Sequence, residues 1–274
     1  MAAKLRGKWT MALGVLFVIV LLVIVFLPSV VAPQDPFKLD VRNRLQPPTS
    51  EHIFGTDEAG RDIFARVVHG SRYSLGMAFV IVLAAITVGI TIGSIAGFAG
   101  GRVDELLMRL VDVFLSFPYF ILAMAIASAL GRGMTASIIA LSIVWWPSYA
   151  RLVRGMVLSI KENLFVSAAQ ALGTNNRRMI WWHILPHCSR EINARATIDF
   201  GSVLLALTGL GFLGLGMQNP APEWGLLVSN ATSFVLSAWW YAFFPGLVLF
   251  LCVIAFAAIG DALSEGKSFG DASK

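Results

Sequence analysis

The stretch ARLVRGMVLSIKENLFVSAAQALGTNNRRMIWWHILP, residues 150–186, is a basic, amphipathic interruption in an otherwise hydrophobic chain. Leu152, Met156, Ile160, Phe165, Ala168, Ala169 and Leu172 recur at roughly helical spacing, with Arg154, Lys161 and Glu162 among them. Gly173 then permits a turn that a side chain would disfavour. A second helical piece is expected from Asn175 to about Leu185, with Pro186 ending it. A helix this polar does not re-enter lipid. It either docks in the groove of a soluble partner or lies on the lipid headgroups, and periodicity alone leaves both readings open.

Around that stretch, 57% of the 274 residues are hydrophobic and only 14% are charged, which places the chain in a bilayer rather than among soluble domains. Apolar runs of about twenty residues predict spans near 9–28, 73–99, 106–130, 136–158, 192–216 and 240–263. The fold class expected is therefore an all-α membrane protein of six transmembrane helices. It divides into an anchor helix and following segment (1–72), a core (73–263) with the amphipathic loop at about 159–188, and a tail (264–274). The first span, Met11 to Leu27, follows Lys4, Arg6 and Lys8, the layout of a signal peptide. Pro33 after Val30-Val31-Ala32 disfavours cleavage, so it reads as a retained anchor.

Six spans put both termini on one side. Fourteen of the 21 Lys and Arg residues fall there, from Lys4, Arg6 and Lys8 through Arg151, Arg154 and Lys161 to Lys274. The positive-inside rule makes that side cytoplasmic. On the other side seven basic residues are balanced by seven acidic ones. The net charge of +5 thus sits at the cytoplasmic face, where it suits anionic lipid. No basic stretch is interleaved with aromatics as a nucleic-acid surface requires. Cys188 and Cys252 imply no disulfide framework, and His183 and His187, with Pro186 between them and no third ligand near, do not make a metal site.

Gly89, Gly93, Gly97 and Gly101 leave one helical face bare for close approach by another helix, within the subunit or from a neighbour. Pro118, Pro147 and Pro245 favour kinks. An Asp inside a span costs on the order of 2.5–3.5 kcal/mol, so Asp112 and Asp199 need partners. Asp112 is expected to pair with Arg109, and Asp199 either pairs with Arg195 or faces the translocation path to meet a cationic group of the substrate.

A series of short motifs runs through the chain: Phe54-Gly55-Thr56-Asp57 with Gly60-Arg61-Asp62, Gly101-Arg102-Val103-Asp104, Ala150 to Arg154, Ala168 to Gly173, Leu185-Pro186, Phe212 to Gly216, and Pro222-Glu223-Trp224-Gly225. In order and spacing, from about Ile53 to Ala262, it resembles the dipeptide, oligopeptide and nickel permease family of ATP-binding-cassette importers. The resemblance implies the type I importer permease fold, with the loop as a coupling helix between helices 4 and 5. It implies that Ser167, Ala168, Ala169, Gly173, Leu185 and Pro186 form the ATPase contact. Ser167 stands where the family often has an acidic residue, and His187 where asparagine is expected.

The partners implied are a homologous second permease, two ATPase subunits that carry ATP and Mg, and a periplasmic or lipid-anchored binding protein, assembled in a bacterial inner membrane. The substrate implied is a short peptide, with nickel or a metal chelate as the alternative. Asp57, Arg61 and Asp62 either contact the binding protein or form a self-packed cap. No cofactor is expected in the chain itself. Gly266-Lys267-Ser268 resembles a phosphate loop, but the earlier glycine it needs would be residue 261, which is Asp. A free-standing channel or carrier would show internal repeats, and an intramembrane enzyme would show HExxH or GxSxG. Neither signature is present.

Overall fold

Long apolar runs punctuated by glycine and proline dictate a chain of helices. The structure, a computed structural model that describes residues 16–265, is built of them. We number them α1 (Leu16–Phe26), α2 (Ile63–Ala99), α3 (Gly101–Ser116), α4 (Tyr119–Leu130), α5 (Met134–Ile160), α6 (Leu164–Ala171), α7 (Asn176–Phe212), α8 (Trp224–Ala231) and α9 (Trp239–Glu265). Among the described residues the only β-pairing is an isolated bridge between Thr56 and Asp62. The basic start of the first predicted span, and the tail from residue 266 with its Gly-Lys-Ser, lie outside the described residues.

The predicted spans at 73–99, 136–158 and 240–263, and all but the last four residues of 192–216, fall in α2, α5, α9 and α7, the four helices among the described residues that are long and apolar enough to cross a membrane. Two of these start earlier than expected. Helix α2 begins at Ile63 because Asp62 caps it, accepting a hydrogen bond from the Ala65 amide at 2.6 Å. Helix α7 begins at Asn176 and does not stop at Pro186. A π-helical stretch, Met179–Ile184, widens the turn ahead of the proline and relieves the clash its ring would otherwise make one turn back.

The expected single span at 106–130 is corrected to two helices. Phe117 is extended ahead of Pro118, as a residue before proline prefers, and α3 and α4 meet there at 89°. They count as a fifth span only if the bent pair is taken together. By contrast, α5 and α9 run on through Pro147 and Pro245.

The glycine stripe decides how the core is assembled. A Cβ added at Gly89 would lie 2.3 Å from Tyr149 Cβ, one at Gly93 2.4 Å from Ala150 O, and one at Gly97 2.9 Å from Val157 Cβ. The bare face of α2 is therefore spent on α5, inside the subunit, while Gly101 faces open space. Helix α9 packs on α7 in the same way, with Gly260 against Ile198 and Gly201 against Val253. Phe79, Phe243 and Phe250 remain exposed on the outer faces of α2 and α9, where a bilayer would cover them.

Candidate coupling and pathway sites

At the end of the bundle where α2 begins, the Phe54–Asp62 motif folds into a cap. Gly55 and Gly60 both have φ of +75°, and a Cβ on Gly60 would sit 1.7 Å from Asp40 O, so no other residue fits there. Asp57 is fully buried. Its Oδ1 accepts from the amides of Ala59 (2.8 Å) and Arg61 (2.9 Å), and its Oδ2 meets Arg61 Nε at 2.7 Å and Arg66 Nη1 at 3.4 Å. Arg61 also reaches Glu58 at 3.1 Å, and Glu58 accepts a hydrogen bond from Tyr241 at the start of α9. Arg66 donates to the carbonyls of Pro220 and Ala221. Asp62 pairs with His52 at 2.9 Å. Asp57, Arg61 and Asp62 are thus turned inward, where they tie α2, α9 and the loop before α8 together, and they present little surface to another protein.

Glu223, in that same loop, is buried and accepts hydrogen bonds from the amides of Gly225 and Leu226, both at 2.8 Å, capping α8. Burial pushes its carboxyl above the ordinary glutamate value, and those two amides pull it back down.

The opposite end holds the coupling loop. Val166 is buried among Val153, Val157, Met179, Ile184, Leu185 and Cys188, so one face of α6 is fixed to the bundle. Ala169 is half-buried against the same cluster, while Ser167 and Ala168 are exposed. Leu164 and Leu172 are 87% and 88% exposed at the two ends of the helix. Gly173, at φ +83°, ends the helix and Asn175 caps the next, accepting from the Arg178 amide at 2.8 Å. Leu185 is buried. Pro186 is exposed beside His187, whose ring stacks on Phe165 at 5.1 Å. The six residues singled out for coupling therefore lie around one short helix and its return, part anchored and part open.

Ion pairs that sequence reading missed brace this end. Arg154 holds Asp104 with two hydrogen bonds of 2.5 and 2.6 Å, and Lys161 Nζ caps α2 through Gly97 O at 2.9 Å. Asp112 pairs with Arg151, not with the expected Arg109, which pairs with Glu105 instead. The break at Pro118 sets α3 beside α5 and brings these side chains together.

In α7, Asp199 pairs with Arg195 at 2.9 Å. The Asp199 side chain is only 4% exposed, against 50% for Arg195. The buried hydroxyl of Tyr149 lies next to Asp199. The carboxylate is shut into the packing, and the guanidinium is what the surface presents.

Residues 89–267 match the family described as the binding-protein-dependent transport system inner membrane component. The chain belongs to that family. Its relatives include the probable D,D-dipeptide transport system permease of Escherichia coli K12, 40% identical over 93% of this chain and 86% of that protein. The dipeptide transport permease of Alkalihalophilus pseudofirmus is 46% identical over 81% and 73%. The nickel transport permease of Escherichia coli K12 is 37% identical over 95% and 94%. The inward-facing methionine ABC transporter MetNI shares the fold at a TM-score of 0.57 and 19% identity, over 72% of this chain and 95% of that one. As a member of the family, the chain is a multi-pass inner-membrane permease component, and such components work with ATPase and binding-protein partners.

Proposed function

We propose that this chain is one half of the translocation pathway of an ATP-driven importer for short peptides, paired with a homologous permease. Two separate ATPase subunits bind ATP and Mg and grip α6, and a binding protein delivers substrate to the capped end. Both termini and α6 are cytoplasmic in this reading, and the cap faces the periplasm. The observation that carries it is the form of α6. Its Val166 face is locked to the bundle while Leu164 and Leu172 stand exposed beyond the spans, as a helix built for a partner's groove would be.

ATP binding would close the ATPase pair and draw the two coupling helices together. Because α6 is continuous with α5 and α7 through short turns, that motion passes to the spans as a rigid-body rotation. Peptide is favoured as substrate because dipeptide permeases are among the relatives of highest identity. Nickel is the second reading, favoured by the nickel permease that aligns over nearly the whole chain.

Gentle extraction of the tagged chain from its native membrane, followed by mass spectrometry, tests the assembly. Two ATPases and a second permease are expected. Recovery of the chain alone as a stable homo-oligomer in several mild detergents would contradict it. Uptake of labelled dipeptide against labelled nickel by cells carrying the importer decides the substrate.

A further inference from the structure

A pocket lined by two guanidinium groups lies where α5, α7 and the end of α9 converge. It has a volume of 350 Å³, and Leu152, Arg190, Glu191, Arg195, Ile198 and Leu263 are among its lining residues. That volume is at the lower end of the range for small-molecule sites, about 300–1,000 Å³. Three of the six side chains are aliphatic, two are guanidinium groups and one, Glu191, is a carboxylate, so the guanidiniums outnumber it two to one.

Arg190 is drawn to the Leu263 carbonyl by long contacts of 3.3 and 3.4 Å, which leaves it only loosely held. Arg195 is fixed more firmly, its Nε on buried Asp199 at 2.9 Å, with half of the side chain still open. Beyond this pocket Arg195, Ser202, Leu205 and Phe212 are exposed on α7, while Ile198 and Gly209 on the same side pack on Gly260 of α9 and Phe120 of α4. Helices α2, α5, α8 and α9 all pack on α7, and Phe120 of α4 reaches it at Gly209. A charged side chain in a span, held in place by a buried counter-ion and left half open, marks a contact for a polar solute.

We propose that this pocket binds the C-terminal carboxylate of the transported peptide on its cytoplasmic stretch of the pathway, with Arg195 as the specificity-determining residue. The proposal rests on the peptide-importer reading and deepens it. The planar guanidinium offers a carboxylate a fork of donors, Leu152, Ile198 and Leu263 receive an apolar side chain, and Asp199 orients Arg195 without meeting substrate. The group recognised is then anionic, the reverse of what an intramembrane aspartate by itself suggests.

The test uses Ile198→Cys in the assembled importer, in inside-out vesicles, with a membrane-impermeant maleimide. The native Cys188 and Cys252 are both buried. Alanyl-leucine is expected to slow labelling at least about fivefold, alanyl-leucinamide and octanoate to leave it unchanged. Adding Arg195→Lys should keep part of the protection. Adding Arg195→Gln together with Asp199→Asn, which removes both charges and strands neither, should weaken apparent peptide affinity about tenfold or more, the loss of a charge-assisted contact.

Equal protection by acid and amide, protection by octanoate as strong as by peptide, protection unaffected by the neutral pair, or no protection by any peptide would each overturn the assignment. Dipeptide uptake by intact cells is measured alongside. Uptake without protection sinks this inference alone, whereas absence of uptake sinks the peptide reading with it.

Discussion

Asp57 holds two arginines that are themselves buried, so removing its charge leaves Arg61 and Arg66 short of compensation inside the cap. Asp57→Asn should cost about 3–5 kcal/mol, seen as a lower unfolding temperature and a poor yield of folded protein in detergent. Normal stability would show that the cap does not depend on this network. Gly93→Ala places a methyl 2.4 Å from Ala150 O and should cost about 1–3 kcal/mol by forcing α2 off α5. Gly76→Ala on the same helix meets nothing within 4 Å and should change stability by less than about 0.5 kcal/mol. Glu223 makes a pH-dependent contribution. Because burial raises its folded pKa, that contribution is full below the ordinary glutamate value and is lost as pH rises through the raised one. Across that interval the unfolding temperature of the wild type should fall more steeply than that of Glu223→Gln, and parallel curves would refute the assignment.

Between helices, the brace of α5 against α3 depends on Arg154 and Asp104. Arg154→Gln should lower stability by about 1.5–3 kcal/mol, and Asp104→Arg with Arg154→Asp should recover part of it. Failure of the exchanged pair to improve on either single change would argue that packing, not charge, joins these helices. This pair also shows where sequence reading stops. The positions of α2, α5, α7 and α9 are legible in their apolar runs, though the early starts of α2 and α7 are not, and the closeness of α2 to a neighbour is legible in its glycines. That the neighbour is α5 is not, because the partner of a bare face is fixed only by tertiary packing. Pro118 announces a bend but not an 89° break, which depends on where α3 can lie. The partners of Arg154 and Asp112 lie in other helices, so local spacing suggested Arg109 for Asp112 and offered nothing for Asp104. In the cap, sequence leaves Asp57 and Arg61 open between a partner contact and self-packing, because only the folded geometry turns them inward.

At the scale of the whole molecule, two ends differ in kind. One is a closed cap in which buried charges join α2, α9 and the loop before α8, and the other leaves α6 and the pocket beside Arg195 open. That division suits a subunit that receives solute at a rigid end and is driven from the other. The central claim is that α6 transmits ATPase motion, and Leu172 tests it cleanly because it is 88% exposed and contributes little to the fold. The measurement is binding-protein-stimulated ATP hydrolysis by the reconstituted importer carrying Leu172→Asp. The account predicts that the subunit inserts and keeps its unfolding temperature while stimulation drops by at least about tenfold, as losing a buried apolar contact to a charge would require. Stimulation equal to that of the wild type would contradict it.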